Sequence, residues 1–173
     1  MTIINNLQRI SIARQNLYRT LIAKTRFQPS TVSHPKNDLI WLPAQCIVGL
    51  AGLEPEPFGS AGEKLITHQL NLLPRLAHNH DARTPEGHKV EIKCARYQIR
   101  NPGELNYCWT RINTLPDAGY DLLLLALLTE WGFKIRVLDK QQVQKLAQRI
   151  GEIRKLGNPR KLSIHRDDFV NTN

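Results

Sequence analysis

The seven residues Leu122 to Leu128, LLLLALL, constrain the fold of this chain more than any other stretch. In an extended strand such a run is apolar on both faces, so both faces have to be covered, as they are for a central strand with helices packed on either side. It is far too short to cross a bilayer as a helix. The run opens at Tyr120, gives way to a turn at Thr129 to Gly132, and is followed by Phe133 to Leu138, where apolar and polar residues alternate. The pair reads as a buried central strand and its neighbour. At 173 residues and 41% hydrophobic content, the chain is long enough to bury one core of its own. The expected architecture is therefore a mixed α/β sheet of four or five strands with helices on both sides.

The second informative stretch is Asp81 to Lys93, DARTPEGHKVEIK. Pro85-Glu86-Gly87 is a turn signal, and after it Val90, Ile92 and Cys94 alternate with Glu91 and Lys93. Two charged side chains thus leave the face of a strand whose other face is apolar. If the strands on either side of the turn pair, Asp81 returns beside Glu91, and two carboxylates and one ammonium meet. Two hard oxygen donors suit Mg²⁺ or Mn²⁺, ions that combine readily with phosphate. A lysine beside them can position a water or stabilise charge developing on a phosphate. The chemistry implied is metal-assisted phosphodiester hydrolysis; the same three residues also suit an ordinary solvated strand face.

An aspartate followed ten residues later by Glu-x-Lys at a strand end resembles the PD-(D/E)XK nuclease superfamily, with Asp81, Glu91 and Lys93 in the motif positions. The run HNHDARTPEGHKVEIKCA is most similar to the active-site hairpin of small orthodox type II restriction endonucleases, particularly the blunt-cutting kind. The resemblance extends more weakly over about Ser60 to Val143. His80 stands where the family name has proline, and His78 where a glutamate sometimes lies three residues before the aspartate. The resemblance implies an α/β, restriction-endonuclease-like mixed central sheet flanked by helices. It implies Asp81 and Glu91 as metal ligands for Mg²⁺, with Mn²⁺ as substitute, Lys93 as the third catalytic residue, and cleavage of double-stranded DNA to 5′-phosphates by a homodimer. Two other readings stand beside it: a junction resolvase or repair nuclease that cuts branched DNA, and a non-catalytic DNA-binding protein.

The net charge of +9 is unevenly spread. Residues 1–40 hold six Lys or Arg against one acid, residues 41–138 ten against ten, and residues 139–173 eight against four. Basic ends around a neutral middle suit a nucleic-acid partner, although a solvated basic surface is also common. Three regions follow: a basic helix and linker over 1–38, a nuclease core over 39–157, and a basic tail over 158–173. In the first, residues 2–24 read as a helix with Thr2 as N-cap and a narrow seam of Ile3, Leu7, Ile10, Leu17 and Leu21. That seam either meets its own copy across a two-fold axis or packs on its own domain. Residues 27–38 read as a linker.

Leu39 to Leu53 fits a strand or a short helix, and Glu54 to Phe58 reads as a Pro-rich loop. Ser60 to Glu63 reads as a capping box opening a helix with Leu65, Ile66, Leu70 and Leu73 inward, stopped by Pro74. Glu63 is then a capping residue, or approaches the metal through water. Between Ala95 and Asp117 polar side chains crowd together; Arg96, Arg100, Asn101, Arg111 and Asn113 are the candidates for DNA contact, because Arg pairs with guanine and Asn with adenine. Asp121 is a strand-entrance acid, or a third ligand. Asp139 caps a helix with Val143, Leu146, Ala147, Ile150 and Ile153 inward, closing at Gly157. Arg160, Lys161, His165 and Arg166 make the tail a phosphate-binding arm or a frayed end. Cys46, Cys94 and Cys108, odd in number and without metal-type spacing, read as reduced core or semi-buried thiols. The six histidines lack the paired spacing of a zinc site. No secretory pattern or membrane span appears, so a cytoplasmic location is expected.

Overall fold

The computed structural model describes residues 39–75, 80–99, 105–154 and 161–165. The N-terminal helix and its seam, His78, Arg100, Asn101, Gly157, Arg160 and Arg166 lie outside these residues.

The described residues form a mixed α/β structure whose centre is the leucine run. Strand β8, Leu122–Thr129, is buried along almost its whole length, with β4, Lys89–Arg96, parallel on one side and β9, Gly132–Asp139, antiparallel on the other. The sheet is completed by β1, Leu39–Trp41, β2, Leu73–Pro74, and β3, Ala82–Arg83, giving the order β1-β9-β8-β4-β3-β2. Six strands therefore stand where four or five were expected. The strands at the two edges, β1 and β2, are three and two residues long, too short to leave a pattern in the sequence.

Alternate residues of β8 feed two cores. Leu124, Ala126 and Leu128 pack with Ile47, Leu50 and Ala51 of helix α1, Ala44–Gly52, and with Phe58 and Ile66 of helix α2, Pro55–Gln69. Leu123, Leu125 and Leu127 pack with Val143, Ala147 and Ile150 of helix α3, Lys140–Arg154. They also meet Trp109, Ile112, Leu162 and Ile164 of a two-stranded ribbon made of β7, Cys108–Asn113, and β10, Lys161–His165. A small hairpin of β5, Gln98–Ile99, and β6, Leu105–Asn106, lies beyond the end of β4. Among the described residues no helix is long and apolar enough to cross a membrane.

Several local expectations change. Leu39 to Leu53 contains both alternatives in turn, β1 and then α1. The Pro-rich loop is the first turn of α2: Pro55 occupies the first helical position, where its missing N–H costs nothing, and the Phe58 N–H donates to the Glu54 carbonyl at 2.9 Å. Ser60 to Glu63 is thus inside the helix and caps nothing. The helix ends at Gln69, before Pro74, and leaves Leu70 and Leu73 39% and 41% exposed instead of inward. Ile153 of α3 is likewise exposed, while Asp139 does cap that helix, exchanging hydrogen bonds with Gln142 in both directions at 2.8 and 2.9 Å. Residues 161–165 of the tail belong to the core as β10, held by the antiparallel ladder with β7 and by Arg154 Nη1 donating to the Ser163 carbonyl at 2.9 Å. Cys46 is exposed, not buried, and all three cysteines are free thiols.

The ribbon contains a bulge with a clear cause. Trp109 and Ile112 are three residues apart, so a regular strand would send them to opposite faces, yet both are buried. The ladder resolves this by slipping between Ile112 opposite Leu162 and Trp109 opposite Ile164, with Arg111 at φ 59°. A left-handed arginine costs roughly 1 kcal/mol that glycine would not.

Candidate active site

The hairpin that carries the site is closed by a turn whose chemistry matches its residues. The Thr84 N–H donates to the His88 carbonyl at 2.8 Å, the Gly87 N–H to the Thr84 carbonyl at 2.9 Å, and Gly87 takes φ 95°, which its missing Cβ permits. Beyond the turn β3 pairs with β4 at Arg83 opposite Lys89 and Ala82 opposite Val90. There the ladder stops, and Asp81 takes over. Its N–H donates to the Val90 carbonyl at 3.0 Å, and its Oδ2 accepts the Ile92 N–H at 2.8 Å. Asp81 thus holds the backbone on either side of Glu91, and a carboxylate replaces the main-chain acceptor that a continuing β3 would have supplied.

From Val90 onward the free edge of β4 and one of its faces carry the charges. Val90 and Ile92 point into the core beneath α1 and α2 with Cys94 packed against it, whereas Glu91 and Lys93 are only partly buried. Lys93 Nζ donates to Glu91 Oε1 at 2.5 Å. Burial works against the Lys93 ammonium, but the hydrogen bond it donates to Glu91 and the charges of Glu91, Asp81 and Glu63 outweigh it and raise its pKa. In this arrangement Lys93 is a proton donor and a positive charge.

Glu63 is not the capping residue that the sequence favours over a water-mediated approach to the metal; it lies inside helix α2, on the side of the site. Helix α2 crosses β4 so closely that a Cβ on Gly62 would lie 2.6 Å from the Cys94 sulfur. The next residue, Glu63, is thereby brought within electrostatic reach of the site. Its carboxyl is pushed up to about 7, first by burial and then by the charges of Asp81 and Glu91, with Lys93 and Arg75 pulling the other way. Burial also pushes the Cys94 thiol upward, and burial followed by the charge of Glu91 pushes Tyr120 up to about 12. Phe58, Gly62 and Ile66, all buried and four residues apart, would have revealed the face on which Glu63 borders, had the helix been extended back through Pro57.

The other candidates divide. Asp121 is a strand-entrance anchor: its Oδ2 accepts the Lys89 N–H at 2.8 Å and its own N–H donates to the Lys89 carbonyl at 2.8 Å. Arg96 is 4% exposed and turned inward, against the expectation of DNA contact. Its Nη1 donates to the Leu50 and Ala51 carbonyls at the end of α1, at 3.2 and 3.1 Å, and its guanidinium lies 4.7 Å from the centre of the Phe58 ring. It continues the inward series Val90, Ile92, Cys94. Arg111 is exposed on the ribbon. Asn113 is exposed as well, but its Oδ1 accepts the Leu115 N–H at 3.1 Å, so it lacks the free oxygen and amide pair that reads adenine.

Among the described residues no group of three or more His, Cys, Asp and Glu side chains is gathered closely enough to hold a metal ion by itself. The donors present nevertheless suit Mg²⁺ or Mn²⁺, which take one or two carboxylates and complete their shells with water and phosphate. Asp81 has a second oxygen beyond the one that accepts Ile92, and of the two effects that raise Glu63, burial and then the charges of Asp81 and Glu91, a divalent cation would relieve the second. Compared with known proteins, the chain matches no family model, and no curated protein matches it in sequence.

Proposed function

We propose that this chain is a metal-dependent, sequence-specific endonuclease that cleaves double-stranded DNA to 5′-phosphates, in the manner of a type II restriction enzyme, and that it works as a homodimer. The observation that supports this best is the arrangement at the open edge of β4: Asp81 gripping the backbone around Glu91, with Lys93 bonded to Glu91 and Glu63 facing the same charges. An acid pair, a lysine and a nearby third acid, gathered where a strand lacks its neighbour, suit hydrolysis of a phosphodiester better than a structural role.

Asp81 and Glu91 would hold Mg²⁺, with Mn²⁺ able to substitute. The chemistry such an ion supplies is polarisation of the phosphate and a lowered pKa for its bound water. Lys93, kept protonated, stabilises the charge that builds on the phosphate or orients the water, and acts as an electrostatic group in preference to a base. Glu63, whose carboxyl is pushed up by burial and then by the charges of Asp81 and Glu91 in the metal-free protein, would be drawn toward its ionised form by the cation and would serve as a proton acceptor for a water beside the acid pair.

A plasmid digest in Mg²⁺ tests the reading. Discrete bands are expected, with cleavage abolished in Glu91→Ala while DNA binding persists. Equal cutting by the variant would overturn the assignment, and branch-only cutting would move it to a structure-specific nuclease.

A further inference from the structure

We propose that the outer face of the β7–β10 ribbon, centred on Arg111 and Lys161, grips the phosphate backbone of the duplex next to the cleaved bond. The inner face of the ribbon is spent on the core through Trp109, Ile112, Leu162 and Ile164. Its outer face presents Thr110, Arg111, Asn113 and Lys161, all exposed, and neither strand contains an acid. Lys161 lies directly opposite Asn113, two residues from Arg111, so the two cations share one end of the ribbon. Neither side chain has a hydrogen-bond or ion-pair partner among the described residues, in contrast to the buried Arg96.

Two further observations tie this end to the site. Tyr120 donates its hydroxyl to the Asn113 carbonyl, and the next residue, Asp121, donates its N–H to the Lys89 carbonyl at the start of β4 at 2.8 Å. The cationic end of the ribbon is therefore tied, through Tyr120 and Asp121, to the strand that carries Glu91 and Lys93. The bulge, moreover, explains why position 111 is left-handed but not why arginine fills it, since glycine would adopt φ 59° without strain. An exposed arginine kept in a strained conformation at a bulge indicates a use for its side chain. Phosphate is the fitting ligand: two cations without acids neutralise a backbone, while the one amide beside them is already engaged with Leu115.

This inference rests on the nuclease reading for the identity of the polyanion, and the test separates the two. The full chain, with Ca²⁺ in place of Mg²⁺, is titrated into a fluorescein-labelled linear duplex at a series of salt concentrations. Wild type, Glu91→Gln, Arg111→Gly, Arg111→Lys and the double variant Arg111→Gly/Lys161→Gln are compared. Removing one cation from the DNA backbone should flatten the slope of log K against log salt by about 0.9, so the double variant should flatten it by about 1.8 and bind at least tenfold more weakly. Arg111→Gly should keep or raise its melting temperature while its slope flattens by the single-cation amount, and Arg111→Lys should restore the slope. Unchanged slope and affinity in the double variant, with wild type cutting plasmid and Glu91→Gln inactive, would sink the ribbon proposal alone. Abolished binding in the double variant while wild type cuts nothing would support the ribbon and sink the nuclease reading. No binding by wild type would sink both.

Discussion

Strands β4 and β8 lie side by side, parallel and in register, with Glu91 opposite Leu123 and Lys93 opposite Leu125. At equivalent positions on the same face of the sheet, one strand carries an acid and a lysine and the other carries two buried leucines. The strands differ in their neighbours. β8 is paired along both edges and packed on both faces, so a charge there would be stripped of water with nothing to replace it. β4 loses β3 after Val90, and its edge opens where Asp81 stands in for the missing strand. The comparison shows that the site is made by an interruption in the sheet as much as by the residues themselves.

The largest effect should come from exchanging the two patterns. Leu123→Glu puts an unpaired carboxylate into a fully buried position and should cost on the order of 3–5 kcal/mol, enough to unfold much of the population. Leu125→Ala should cost about 2–5 kcal/mol by leaving a cavity. Glu91→Leu, the reverse exchange on β4, should change stability by no more than about 1 kcal/mol while abolishing cleavage. Urea denaturation of the three variants measures this. A Glu91→Leu protein as damaged as Leu123→Glu would mean that the ion pair with Lys93 is structural and that the two strands are not so different.

A smaller effect separates the two roles of Asp81. As the acceptor for the Ile92 N–H, it replaces a ladder bond, and Asp81→Ala should leave that N–H without its partner at a cost of about 1–2 kcal/mol. Asp81→Asn keeps an oxygen in place and should keep most of the stability, yet it removes the negative charge and should be as inactive in cleavage as Asp81→Ala. If Asp81→Asn retains full cleavage, Asp81 serves only to close the edge of β4.

How far the fold can be read depends on whether its cause is local. The leucine run dictates a strand buried on both faces, and the alternation after Gly87 separates Val90 and Ile92 from Glu91 and Lys93, because both signals are properties of a few consecutive residues. The start of helix α2 is disguised because Pro55 and Pro57 suggest a loop by composition, although proline is well tolerated in a first helical turn, and because Ser60 and Glu63 imitate a cap inside the helix. That disguise hides the role of Glu63. Residue type alone sends Arg96 to the surface, although the two-residue period already places it inward. The bulge at Arg111 follows from a ladder with β10 that begins 48 residues after Asn113, and no local pattern announces such a pairing.

The last prediction concerns Glu63, the charge that reaches the open edge of β4 from the helix above it. Its folded pKa of about 7 lies above the ordinary 4.5, because burial and then the charges of Asp81 and Glu91 disfavour its ionised form. Between these values the native protein keeps a proton that the unfolded chain releases. The contribution of Glu63 to stability is therefore fully present below about pH 4.5 and is lost as pH rises through about 7. Melting temperatures of wild type, measured without divalent ions, should fall across this window beyond what the other groups cause. Glu63→Gln, which mimics the protonated form, should flatten the dependence and melt higher than wild type at about pH 8. The difference should be a few degrees, since about 1 kcal/mol moves the midpoint by roughly 2–4 °C in a chain of this size. Identical pH profiles for the two proteins would show that Glu63 reaches solvent freely and is not coupled to Asp81 and Glu91. The open edge would then be a site of two acids and a lysine, with the helix serving only to cover the core.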